Sequence, residues 1–139
     1  MIQVRVQFDL NRTNPNRRHC LNPMRDQRAR RAEKNALIEA ARWAWKQAGR
    51  PQAEGPVRYR VRVRRSARLE DDNAIAGLKA ARDALFCGKR FADDGGAITL
   101  NDNANWLTFD GLIWETARKY RFREEVVFEV IGKEERWDD

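Results

Sequence analysis

The fold turns on two neighbouring stretches, Val57-Arg58-Tyr59-Arg60-Val61-Arg62-Val63-Arg64 and Leu69-Glu70-Asp71-Asp72-Asn73. The first alternates strictly. Val57, Tyr59, Val61 and Val63 share one face and Arg58, Arg60, Arg62 and Arg64 the other, the period-two pattern of a half-buried strand. The second opens a helix predicted over residues 72–86, with Ile75, Leu78, Ala81 and Leu85 facing inward. Asp71 or Asp72 can cap that helix, and a helix N-terminus favours negative charge. Three carboxylates in a row still repel one another, which raises their pKa values unless a cation is supplied.

Upstream, Ile2, Val4, Val6 and Phe8 alternate with Gln3, Arg5 and Gln7 and predict a first strand. Residues 11–23 hold four asparagines, two prolines, Arg12, Arg17, Arg18 and His19, a basic loop. Asn22-Pro23 then starts a helix, Asn as cap and Pro at the first helical position, and Gly49 and Pro51 end it. Its apolar stripe is Leu37, Ala41, Trp45 and Ala48. Downstream, Ala97-Ile98-Thr99-Leu100 is expected to be a short strand. Trp106, Phe109, Leu112 and Trp114 are expected in the core, and Val126, Phe128 and Val130 face inward on a last strand near 125–131. With no internal repeat, residues 1–139 are expected to form a single α+β domain, a mixed or antiparallel sheet with two main helices.

The 28 Lys and Arg outnumber the 21 Asp and Glu, for a formal net charge of +7, a bias that points to a polyanionic partner. Arg25, Arg28, Arg30, Arg31 and Lys34 crowd the start of the first long helix, where cations oppose the macrodipole. A phosphate-contacting patch that includes Arg28 and Arg31 accounts for that local penalty. Arg58, Arg60, Arg62 and Arg64 recur about 6.7 Å apart along their strand. Such a row can protect an edge strand, but four arginines in register exceed that need and suggest DNA contact. The tryptophans are expected mostly buried, against an RNA-directed protein that stacks bases.

No apolar run is long enough to span a membrane, and no apolar leader follows Met1, so a cytoplasmic protein without a membrane partner is expected. Cys20 and Cys87 lie far apart, and His19 is the sole histidine, which argues against a Cys/His zinc site. Reduced, structural cysteines are the expectation. A catalytic metal must then sit on oxygen ligands, which means magnesium or manganese.

A second acidic pair, Asp93-Asp94, precedes Gly95-Gly96 and on its own reads as a turn. Lys79 lies seven residues after Asp72, almost on the same helical face and about 10.5 Å along the axis. Its ammonium can lean back toward the carboxylates or pair with Asp83 four residues on. For Asp93 and Asp94 to meet Glu70 and Asp72, the chain must double back along a helix about 21 Å long. Donation across a dimer interface is the other solution.

Taken in order, a strand, a basic helix, a basic strand, Glu70-Asp71-Asp72-Asn73, Lys79-Ala80-Ala81-Arg82-Asp83-Ala84-Leu85 and Asp93-Asp94 resemble the RusA family of Holliday-junction resolvases, dimeric α/β proteins common in prophages. The resemblance covers residues 1 to about 100 in element order, and the last strand fits it too. It implies a magnesium-dependent endodeoxyribonuclease that acts on branched DNA as a homodimer. Glu70, Asp72 and Asp94 match the family's three metal-binding acids, with Asp71 and Asp93 beside them. Asn73 matches the asparagine that follows and Lys79 the important lysine. Two departures stand out. Position 70 is Glu where the family usually has Asp, and three extra residues, about one helical turn, separate Asn73 from Lys79 relative to the founding member.

Overall fold

The computed structural model describes residues 1–121 and 123–138. Its elements are β1 (Ile2–Gln7), α1 (Pro23–Gln47), β2 (Val57–Arg65), α2 (Asp71–Phe86), β3 (Leu107–Thr116) and β4 (Glu125–Gly132), with short 3-10 turns at Leu10–Thr13, Ala92–Asp94 and Arg118–Tyr120. The strands form one mixed sheet in the order β1-β4-β2-β3. β4 runs antiparallel to β1 and to β2, while β2 and β3 run parallel. Parallel neighbours need a long crossover, and α2 lies within it. The expected α+β domain with two main helices is the fold observed.

Local chemistry sets the helix boundaries. The Asn22 side chain accepts from the backbone N–H groups of Met24 and Arg25, and Pro23 stands at the first helical position. Leu37, Ala41 and Trp45 are fully buried on the inner face of α1. Ala48, expected on the same stripe, is exposed because it already lies at the C-cap, where the helix ends. Arg42 takes part in the buried face instead.

Both helices pack on the sheet face made by Val4, Val6, Val57, Tyr59, Val61, Val63, Val126, Phe128 and Val130. On α2 the buried residues are Ala74, Gly77, Leu78, Ala80, Ala81, Ala84, Leu85 and Phe86. The inward face was expected to include Ile75, which is 44% exposed. The small residues at 74, 77, 80, 81 and 84 let α2 approach closely, and that turns position 75 outward.

The second half differs most from expectation. Residues 97–100 form no strand. Ile98 instead donates its N–H to the Leu85 carbonyl at 2.8 Å, Gly88 to that of Thr99 at 2.9 Å, and Ala97, Ile98 and Thr99 are buried as a loop. Residues 107–116 supply β3, an edge strand. Leu112 and Trp114 are partly buried against the core, but Trp106 is only half-buried and Phe109 is exposed. Of the five tryptophans only Trp45 is fully buried, and Trp43 is 66% exposed. Edge position explains the β3 side chains, since a strand with one free flank buries less of each, whereas Trp43 stands on α1 outside its buried stripe.

Candidate nucleic-acid interface

The arginine row of β2 lies on the sheet face away from the helices. β2 is interior, between β4 and β3, so the edge-protection reading does not apply. Register puts carboxylates beside the row, with Arg60 opposite Glu129 and Arg64 opposite both Glu125 and Glu115. Arg60 pairs with Glu129 at 2.7 Å, and Arg62 with Glu115 at 2.9 Å and Glu129 at 3.3 Å. Arg64 pairs with Glu115 at 2.7 Å and Glu125 at 2.6 Å, and Arg58 with Asp110 at 2.8 Å. Arg5 reaches Glu125 from β1. The arginine stems roof Val127, which is fully buried although it points to this face. Burial pushes the Glu129 carboxyl up, but hydrogen bonds and charge from Arg60 and Arg62 outweigh it and hold the group below its usual value. Glu115 is held down in the same way by Arg62 and Arg64. This face is a lattice of both signs.

Glu70 is the N-cap residue of α2, but its side chain makes no capping bond. Asp71 accepts from Arg68 at 3.0 Å and from the Trp114 indole at 2.9 Å. Those bonds hold the Asp71 carboxyl below its ordinary value, with the Arg68 bond first. The expected upward shift from mutual repulsion does not occur there, because Asp71 swings away toward β3. Glu70 and Asp72 are exposed, without a side-chain ion pair or hydrogen bond among the described residues. Asn73, next in line, is half-buried.

Asp94 sits elsewhere. Its carboxylate pairs with Lys46 at 2.6 Å and Arg42 at 3.3 Å, which holds it below the ordinary range, Lys46 foremost. Arg42 also donates to the Ala84 carbonyl at 3.0 Å, so this anchor lies at the C-terminal end of α2. Fourteen residues of helix separate Ala84 from Glu70, about 21 Å. Asp93, in the same turn, is exposed. Within one chain the two acidic groups therefore stay apart, and among the described residues no three His, Cys, Asp or Glu side chains come together as a metal-holding group.

Lys79 is exposed and makes no ion pair among the described residues; Asp83 pairs with Arg82 at 3.1 Å instead. Lys79 stands on the wall of a cleft between α2, α1 and the loop that follows β1. On α1, Arg28 and Arg31 are exposed and likewise unpaired among the described residues, whereas Arg30 is tied to Asp26 at 2.8 Å. Sequence reasoning did not single out Arg42 or the pairing role of Glu129. A charged residue at position 42, flanked by Ala41 and Trp45 on the inward stripe, was the available signal. Comparison with family models, curated proteins and solved structures returns no match to this chain.

Proposed function

We propose that the chain is a divalent-metal-dependent endodeoxyribonuclease that nicks branched DNA, Holliday junctions included, and acts as a homodimer. The observation that carries this reading is the pair Glu70 and Asp72 at the start of α2, two exposed carboxylates without a side-chain partner among the described residues. The same exposed stripe carries Lys79, about 10.5 Å further along.

Magnesium typically uses one or two protein carboxylates and takes its other ligands from water and substrate phosphates. Glu70 and Asp72 fit that requirement. Asp94 of the same chain does not, since Arg42 and Lys46 hold it at the far end of α2; a third carboxylate comes from the second subunit. When bound, the metal supplies charge neutralisation at a phosphodiester and eases deprotonation of water. Lys79 places an ammonium beside the substrate strand, where it offsets phosphate charge. Asn73 orients a ligand or the DNA backbone, and Arg28 and Arg31 hold a DNA arm. A two-fold dimer matches the two-fold symmetry of a four-way junction, one strand cut by each subunit.

The second reading is a DNA-binding module without cleavage, and the engagement of Asp94 by Arg42 and Lys46 favours it. Incubation of a labelled four-way junction with magnesium separates the two. Nicking by the natural chain that disappears in Asp72→Asn supports the nuclease. Tight, metal-independent binding with no nicking by either protein leaves the binding module.

A further inference from the structure

We propose that the cleft between the loop after β1, the first half of α1 and the middle of α2 is a built phosphate site that seats one backbone phosphate of a DNA strand. The cavity measures about 360 Å³, and its walls include Arg12, Arg30, Lys34, Lys79, His19 and Thr13. Four of those six are permanent cations. Among the described residues Asp83 is the one carboxylate in its lining, and Arg82 already pairs with it at 3.1 Å.

Two of the cations form the frame. Arg12 pairs with Glu33 and lies over the Phe8 ring, 4.4 Å from its centroid. Arg30 donates to the carbonyls of Pro15 at 2.9 Å and Arg17 at 2.6 Å. Asp26 clasps the same loop by accepting from the N–H of His19 at 2.7 Å. Chiefly its bond to Arg30, and then this backbone bond, bring Asp26 down to about 2. On the opposite wall the Thr13 hydroxyl donates to the Gly77 carbonyl at 3.0 Å. A Cβ at position 77 would stand 3.1 Å from that hydroxyl oxygen and 3.2 Å from the Thr13 carbonyl, so glycine permits the loop to seat on α2.

The remaining groups have no acceptor. The ammoniums of Lys34 and Lys79 and the His19 imidazole make no side-chain hydrogen bond or ion pair among the described residues, yet all three line one cavity. The ammoniums of Lys34 and Lys79 on the walls of one cleft repel each other unless an anion joins them. A phosphate, with oxygens directed several ways, answers donors arriving from three chain segments better than a planar carboxylate, and lysine serves it as a point charge.

Attribution to a nucleic-acid strand rests on the nuclease reading above. Lys79 stands about 10.5 Å from Asp72 along α2, a separation within the reach of nearby phosphates on one strand. A strand with one phosphate at Glu70 and Asp72 thus places another at the cleft. A free nucleotide offers the same chemistry, and the test must separate the two.

Metal-free binding of a four-way junction, measured as a function of salt, gives that separation, with Lys34→Gln and His19→Gln compared against the remote Lys133→Gln. Lys34 is exposed, so an unchanged Tm is expected to show that the fold survives. Loss of one phosphate contact lowers the slope of log K against log salt by about 0.9 on duplex DNA. Lys34→Gln is expected to show that loss, Lys133→Gln to show none, and inorganic phosphate to weaken the natural chain's DNA binding more than that of Lys34→Gln. A Lys34→Gln slope equal to that of Lys133→Gln overturns the proposal. So does dAMP binding that Lys34→Gln abolishes while junction binding is untouched, since the cleft then serves a small ligand. Absence of magnesium-dependent nicking sinks the nuclease and leaves this salt-slope result standing.

Discussion

Arg42 holds Asp94 through both its main chain and its side chain: Nη2 lies 2.8 Å from the Asp94 carbonyl oxygen and 3.3 Å from its carboxylate Oδ2. The same guanidinium reaches the carbonyls of Ala84 and Gly96 through Nη1, at 3.0 and 2.7 Å, and stacks between the rings of Trp45 and Phe91. One buried side chain therefore ties α1, the end of α2 and the Asp93-Asp94 turn together. Arg42→Ala should destabilise the fold by about 2–4 kcal/mol, because it strands buried carbonyls and opens a void. Urea unfolding measures this. A midpoint like that of the natural chain would show that the turn is held by other contacts. Asp94→Asn should change the midpoint little, since its carboxylate is half exposed.

Subunit mixing tests where the third carboxylate comes from. Asp72→Asn and Asp94→Asn should each abolish nicking alone, by at least about 100-fold, given that even outer partners of metal ligands are worth 10–100-fold. In a mixed dimer one site loses both acids and the other keeps both. The mixture should then nick one strand of a junction. No recovery on mixing, with mixed dimers shown to form, would rule out donation between subunits.

The outer sheet face should respond to acid. Glu115 and Glu129 are held below their usual values in the folded chain. A group depressed on folding contributes stability that is complete above its unfolded pKa, here about 4.5, and is lost as pH falls through the folded value. Tm should therefore fall from about pH 5 downward, and Glu129→Gln should flatten that fall. A Tm flat to pH 3 in the natural chain would contradict the ion-pair lattice.

Because their charge is already met by carboxylates, the β2 arginines should matter less to DNA than Arg28 and Arg31 on α1, which make no ion pair among the described residues. Arg28→Gln with Arg31→Gln should lower the salt slope of junction binding by about 1.8, two phosphate contacts. Arg62→Gln, which leaves Glu115 and Glu129 in place, should lower it less while it reduces Tm. Equal slopes for the two variants would place the β2 row in direct phosphate contact.

Periodicity and capping chemistry carried much of the architecture unaided. Strict alternation marked β1 and β2, since a half-buried strand shows its two environments residue by residue. Asn22-Pro23 and Gly49 bounded α1 because caps are local chemistry. Burial at position 75, a strand at 97–100 and a core role for Phe109 were misjudged, because each depends on what lies opposite. Small residues along α2 decide how close it sits, and the parallel partner β2 gives residues 107–116 their strand. The acids near 70 and 94 could be read as chemistry from the sequence alone. Their separation by the length of α2, the pairing of the β2 arginines with β3 and β4 carboxylates, and the gathering of Lys34, Lys79 and His19 around one cavity were decided by tertiary structure. Electrostatic partnership depends on distance in space, and contacts between residues 50 or more positions apart leave no periodic trace in the chain.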